Sequence, residues 1–196
     1  MKKWNELPKV MQNDKVKYYY DILQEHEKEL KLKRAFDIIC SLIMIIILSP
    51  VLIILSVMIK LDSKGPVLFK QVRVTTYGRK FKNLEIQTMV NNADKLGTQV
   101  TTKGDARITR MGHLLRKIRL DELPQLFNVL KGDMTFVGTR PEVPKYTAHY
   151  TEEMMATFLM PAGVTSRTSI EYKDEEKLLE NAENADEVYI NEVLPA

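Results

Sequence analysis

"DIICSLIMIIILSPVLIILSVMIKLD", residues 37–62, decides the architecture. From Ile38 to Ile59 there is no charged side chain, and Ile, Leu, Val and Met dominate. A helix that crosses a bilayer needs roughly 20 such residues, so by length this segment belongs in lipid. Ser49-Pro50, however, sits at its midpoint. Proline removes a backbone donor and crowds the preceding turn, which kinks or breaks a helix. Each half alone is about 11 residues, or about 16 Å, and reaches about halfway through a hydrocarbon core of about 30 Å. Lys31, Lys33 and Arg34 flank one side and Lys60 and Lys64 the other, so the charge bias names no outside end. A re-entrant hairpin with both ends cytoplasmic and a kinked span both satisfy these facts. A buried core hairpin of a soluble protein satisfies them less well. In a hairpin, the backbone groups freed at the bend need cover from the Ser49 hydroxyl or from protein.

Around this segment the chain is short and mildly basic, with 196 residues and a formal net charge of +3. That length supports one domain with appendages. The charge does not mark a dedicated nucleic-acid binder, and no nucleic-acid partner is expected. The basic residues cluster beside the apolar segment and over Arg107–Arg119, which suits lipid headgroups and phosphate ligands. Cys40 is the single cysteine, so neither an intrachain disulfide nor a cysteine zinc site can form. Residues 1–30 are polar and helical in pattern, with no apolar core of signal-peptide type, so no cleaved leader is expected. Trp4, Tyr18, Tyr19, Tyr20, Ile22 and Leu23 there suit either a lipid interface or packing on the rest of the chain.

Downstream, "VLFKQVRV" and "KFKNLEIQTM" read as strands about a turn at Tyr77-Gly78. Residues 91–106 are a polar loop. "RITRMGHLLRKI" places Ile108, Met111, Leu114, Leu115 and Ile118 at helical spacing, with Arg107, Arg110 and Lys117 on the other face and Arg116 nearby. "PQLFNVLKG" is a short helix stopped by Gly132, and "FVGTRPEVPKY" is a Gly/Pro-rich loop. The remainder reads as helices around the loop "PAGVTSRTS".

Asp121 and Glu122 stand between the basic helix and Pro124. Asp121 suits a helix N-cap, and Pro124 is tolerated in a first turn; most such acids are only caps. The same placement has chemical consequences. A helix N-terminus with Arg116 and Arg119 nearby would hold a carboxylate ionised. An ionised aspartate can attack phosphorus, and Mg²⁺ takes such oxygen ligands. His26, His113 and His149 are scattered without metal-ligand spacing. The acids at Glu175, Glu176, Glu180 and Glu183 read as a solvated helix face.

"LDELPQLFNVLKGDM" followed at once by "FVGTRPE" resembles the bacterial sugar transferases, small monotopic phosphoglycosyl transferases. The resemblance extends to "KRAFDIICSLIMIIILSPVLIILSVMIKLDSKGPVLFKQ", "DARITRMGHLLRKIRLDELPQL" and "PAGVTSRTSIEYKDEEKLL". It implies an α+β, mainly helical, monotopic membrane protein. Residues 1–30 would be an N-terminal amphipathic extension, 31–62 a re-entrant helix–break–helix turning at Ser49-Pro50, and 63–196 a small cytosolic catalytic domain. It implies Asp121 as nucleophile, Glu122 completing the dyad, and both near Mg²⁺. It further implies substrate contacts from Arg140, Pro141, Arg116, Arg119 and Arg110. The implied reaction moves a sugar phosphate from a UDP-sugar to undecaprenyl phosphate and releases UMP, at the cytoplasmic face of a bacterial inner membrane. Membrane lipids, and a second copy of the chain in a homodimer, are the further partners considered. The chain departs from the family pattern at Glu85-Ile86-Gln87, where a basic-aromatic-basic run is usual, at Thr139 before Arg140-Pro141, and at Ala162 between Pro161 and Gly163. Relatives usually continue beyond Leu194-Pro195-Ala196, so a longer natural chain is expected. The rival reading is a membrane-anchored binding or scaffold protein with a degenerate transferase site.

Overall fold

A computed structural model describes residues 1–62, 65–91, 93, 105–166 and 185–194. The polar loop expected over 91–106 and the acid run from Glu175 to Glu183 lie largely or wholly outside these residues. The described chain mixes helix and strand and is mainly helical.

The apolar segment forms all but the first ten residues of α2 (Glu27–Asp62), which follows α1 (Asp14–Glu25). Helix α2 therefore begins within the stretch assigned to the N-terminal extension. Only 11 % of its most apolar stretch is buried in the protein. Ile39, Ile46, Ile47, Ile53 and Ile54 are all exposed, which suits hydrocarbon and not water. Ser49-Pro50 is a proline site inside one helix, not a gap between two. Pro50 has no N–H to give the Ile46 carbonyl, and the Ser49 hydroxyl donates to that oxygen at 2.8 Å. The acceptor vacated by proline is thus served within the segment, as lipid requires.

Both ends of α2 rest on the globular part. At the first end the Arg34 guanidinium donates to the Val129 and Leu130 carbonyls, at 2.6 and 2.9 Å. Buried Asp37 accepts from the Thr135 hydroxyl at 2.6 Å and the Phe136 N–H at 3.3 Å, and Lys33 pairs with it at 3.5 Å. At the other end Leu55 and Ile59 pack on Ile86 and Leu115. The Asp62 carboxylate accepts from the Met111 N–H at 3.2 Å.

The globular part opens with an antiparallel hairpin, β1 (Leu68–Thr75) and β2 (Arg79–Ile86), joined through Tyr77-Gly78 as expected. Next come α3 (Arg110–Lys117) and α4 (Gln125–Lys131), closed by Gly132 at φ 86°, a left-handed position that glycine adopts without strain. The Gly/Pro-rich stretch holds a short strand, β3 (Met134–Val137), before α5 (Pro144–Thr147). The loop after Pro161 holds β4 (Ala162–Thr165), parallel to β3, with Met134 opposite Ala162. Each of these strands has four residues, too few for alternation to announce them. "TEEMMATFLM" forms a 3₁₀ turn over Met154–Leu159, and the last described element is α6 (Ala185–Val188) with a π turn behind it.

The N-terminal residues divide between the two roles considered for them. Leu7, Met11, Val16 and Tyr20 share a core with Val74, Phe158 and Leu159, with Trp4 and Leu23 against it. Tyr18, Tyr19 and Ile22 stay exposed. Residues before the apolar segment and residues after it therefore build one core.

Candidate active site

Helix α3 delivers the acid pair. Thr109 caps it, its hydroxyl accepting from the Gly112 N–H at 3.0 Å. Gly112 lies against the Thr88 carbonyl so closely that any Cβ would collide with it. Leu115 is buried under α3, and after Ile118 the chain turns through Arg119 at φ 56°. A left-handed non-glycine residue costs of order 1 kcal/mol or more and persists where the surroundings impose it. This turn places Asp121 and Glu122 in a 3₁₀ turn (Leu120–Glu122) packed on β2.

Asp121 is 9 % exposed, and its Oδ1 is buried without a hydrogen-bond partner among the described residues. Burial pushes its carboxyl above the usual range, and the neighbouring Glu122 adds to the shift. Its own backbone N–H, Arg116 and Arg119 oppose the shift without reversing it. Burial thus outweighs the arginines in setting the direction of the shift, and the helix N-terminus expected at Asp121 does not lie there. Helix α4 starts only at Gln125, with Pro124 at its cap, so Asp121 lies upstream of that N-terminus. The arginines are engaged elsewhere. Arg116 Nε donates to the Thr88 hydroxyl at 2.9 Å, and Arg119 pairs with Glu122 at 2.9 Å.

Arg140 is exposed on the loop after β3, and Pro141 beside it is buried. The loop is held from two sides. Val74 N–H donates to the Glu142 carbonyl at 2.8 Å, and Gly163 N–H donates to the Thr139 carbonyl at 2.7 Å. The Tyr189 hydroxyl, from the C-terminal π turn, donates to buried Glu142 at 2.9 Å. Arg110 is exposed on the first turn of α3 and makes no hydrogen bond or ion pair among the described residues. Asp133 is a structural partner of Arg79, at 2.8 Å. The three histidines are exposed, and no cluster of three or more His, Cys, Asp or Glu fit to hold a metal occurs among the described residues.

Two further residues reach this site from the hairpin. Glu85, on β2, accepts from Asn83 Nδ2 at 2.8 Å. Burial raises its pKa, Arg73 pulls it down, Glu122 and Asp121 push it up, and Arg140 pulls it down. Glu85 thus sits within the field of both members of the dyad and of Arg140. Arg73 donates to the Pro141 carbonyl at 2.7 Å, tying β1 to the Arg-Pro loop, and its Nε is buried without a partner. Alternation along β1 and β2 is the signal that finds them. Arg73 stands opposite Phe81, a core residue, so Arg73, Phe81, Asn83 and Glu85 share the inner face.

Residues 28–195 match the family model of bacterial sugar transferases. A UDP-N-acetylgalactosamine-undecaprenyl-phosphate N-acetylgalactosaminephosphotransferase of Aeromonas hydrophila is 43 % identical over 123 residues, 63 % of this chain and 29 % of that protein. A Bacillus subtilis protein provisionally named undecaprenyl-phosphate N-acetylgalactosaminyl 1-phosphate transferase is 39 % identical over 135 residues, 69 % of this chain and 75 % of that protein. A UDP-glucose:undecaprenyl-phosphate glucose-1-phosphate transferase of Caulobacter vibrioides is 36 % identical over 141 residues, 70 % of this chain and 53 % of that protein. The chain therefore spans about a third of the Aeromonas relative and about half of the Caulobacter one. The chain belongs to the bacterial sugar transferase family.

Proposed function

We propose that this protein transfers a sugar 1-phosphate from a UDP-sugar to undecaprenyl phosphate and releases UMP, as a membrane step of bacterial glycoconjugate assembly. The carrying observation is the Asp121 carboxylate, buried, unpartnered at Oδ1 and set beside Glu122 by a left-handed turn. A carboxylate kept basic by burial is a stronger oxygen nucleophile once ionised. Asp121 attacks the sugar-bearing phosphorus of the donor. The bond from that phosphorus to the bridging oxygen breaks, and the oxygen leaves with UMP. The sugar phosphate now sits on Asp121. An oxygen of the lipid phosphate attacks the same phosphorus, and Asp121 departs as a free carboxylate. Arg140 opposes the charge that builds on the phosphoryl oxygens.

The residues present suit Mg²⁺. Asp121 and Glu122 would hold it, since Mg²⁺ typically takes one or two carboxylates and completes its shell with water and substrate phosphate. When bound it neutralises diphosphate charge. The exposed Arg119–Glu122 pair is weak enough to open for such a ligand.

The membrane segment enters and leaves by one face, with a bend at Pro50, and the site lies at the cytoplasmic surface of the inner membrane. A span would put residues 1–30 and 65–166 on opposite sides of a bilayer, yet Leu7, Met11, Val16 and Tyr20 pack with Val74 and Phe158. Arg34 and Ile59, on opposite sides of Pro50, would stand about 37 Å apart on a straight helix.

The test is mass spectrometry of the protein mixed with a UDP-sugar and no acceptor lipid. A sugar-phosphate adduct on the Asp121 peptide, absent from Asp121→Asn, is the expected result. Release of UMP only when both substrates are present would refute the covalent route.

A further inference from the structure

We propose that Glu85, with Asn83 and Arg73 beside it on the inner face of the hairpin, selects the sugar of the donor by accepting hydrogen bonds from its O–H or N–H groups. This rests on the transferase reading. Three buried polar atoms are left without a partner among the described residues: Arg73 Nε, Asn83 Oδ1 and Asp121 Oδ1. The last is the nucleophile. The first two belong to neighbouring side chains, since Arg73 faces Phe81 and Asn83 lies two residues further along β2. Asn83 is 1 % exposed, so its free carbonyl oxygen is a buried acceptor with an unmet donor. Its Nδ2 is already used, donating to Glu85 Oε1 and thereby orienting that carboxylate.

The set is therefore two acceptors, Asn83 Oδ1 and the second Glu85 oxygen, beside one donor, Arg73 Nε. Phosphate oxygens accept and do not donate at neutral pH, so they cannot satisfy the Asn83 Oδ1 acceptor. A ring bearing hydroxyl or acylamino groups supplies both the donors that Asn83 and Glu85 lack and an acceptor for Arg73. Uracil also carries an N–H, but position decides against it. Glu85 lies on β2, which packs on the Leu120–Glu122 turn that carries Asp121 and Glu122. The sugar is one oxygen away from the phosphorus that Asp121 attacks, whereas uracil is a ribose and a second phosphate away.

The test uses the full chain in detergent with undecaprenyl phosphate. UMP release is measured with UDP-N-acetylgalactosamine, UDP-N-acetylglucosamine, UDP-glucose and UDP-galactose. The UDP inhibition constant is measured beside it, because UDP lacks the transferred sugar. Glu85→Gln keeps shape and replaces one carboxyl acceptor oxygen with an amide donor. It should compress the kcat/KM ratio between the best and the worst donor by about tenfold, with UDP inhibition unchanged. An unchanged ratio, or weakened UDP inhibition with the ratio kept, overturns the assignment. If Glu85→Gln does not fold, Glu85→Asp serves, because retracting the carboxylate by one methylene should lower the same ratio. A wild-type chain that releases UMP from none of the four donors overturns the transferase reading itself. A wild-type chain that discriminates among donors while both variants discriminate identically overturns only the role of Glu85.

Discussion

Replacing the proposed nucleophile should make the protein more stable as well as inactive. Asp121 is 9 % exposed and its Oδ1 has no partner, so the folded state confines a carboxylate that water would solvate. A buried polar group left unsatisfied costs about 1–3 kcal/mol, and more when charged. Asparagine keeps the size and still has an unmet atom, so Asp121→Asn relieves only the charged part, about 1 kcal/mol. For a chain of this length that raises Tm by about 2–4 °C. The pH dependence carries a definite sign. Burial and Glu122 lift the folded carboxyl above its unfolded value, against the opposing pull of Arg116 and Arg119, and Glu85 shares the same field. Below the unfolded value both states are protonated, and the variant and wild type should melt together. As pH rises through the raised folded value, the wild type loses stability relative to the variant, and the gap opens fully. The assay is thermal unfolding in detergent with a chelator, from about pH 3 to pH 8, followed by tryptophan emission from Trp4. A lower Tm for Asp121→Asn at pH 7, or a gap that is constant with pH, would refute the reasoning. A gain in stability paired with loss of UMP release is the expected signature of a group held for chemistry at the expense of folding.

Arg140→Lys keeps the charge but loses the two-pronged fork, so UMP release should fall by tenfold or more, on the order of 1.4 kcal/mol, with an unchanged melting curve. Wild-type turnover would remove Arg140 from the site. Gly112→Ala drives a Cβ into the Thr88 carbonyl and should cost about 2 kcal/mol, read as a lowered Tm; an unchanged Tm would mean that α3 shifts freely. Asp37→Ala strips the Thr135 hydroxyl and Lys33 of their buried partner and should cost about 3 kcal/mol; equal stability would mean that this contact does not anchor α2. Cysteines at Lys15 and Lys82, in a Cys40→Ser background, should be labelled from the same side by a membrane-impermeant thiol reagent, and opposite sidedness would mean a true span.

The local elements were written in local chemistry. The run from Ile38 to Ile59 has no charge, so its fitness for lipid needs no tertiary information. Alternation set the hairpin, the 3.6-residue period set α3, and Gly132 set the end of α4. Even the cover for the Ile46 carbonyl was readable, because Ser49 is adjacent to the proline that vacates it. The acid pair was readable as residues but not as an environment. Whether the Asp121 carboxyl is shifted up or down depends on how deeply it is buried and on where Arg116 and Arg119 find partners, and both are properties of the packed chain. Likewise β3 and β4 exist because Met134 meets Ala162 across a long loop, and a four-residue strand has no signal until its partner arrives. Glu85 and Arg73 belong to the site for the same reason: the pleat fixes which face they share, but only the packing of β2 on the Leu120–Glu122 turn and of Arg73 on Pro141 determines what that face looks toward.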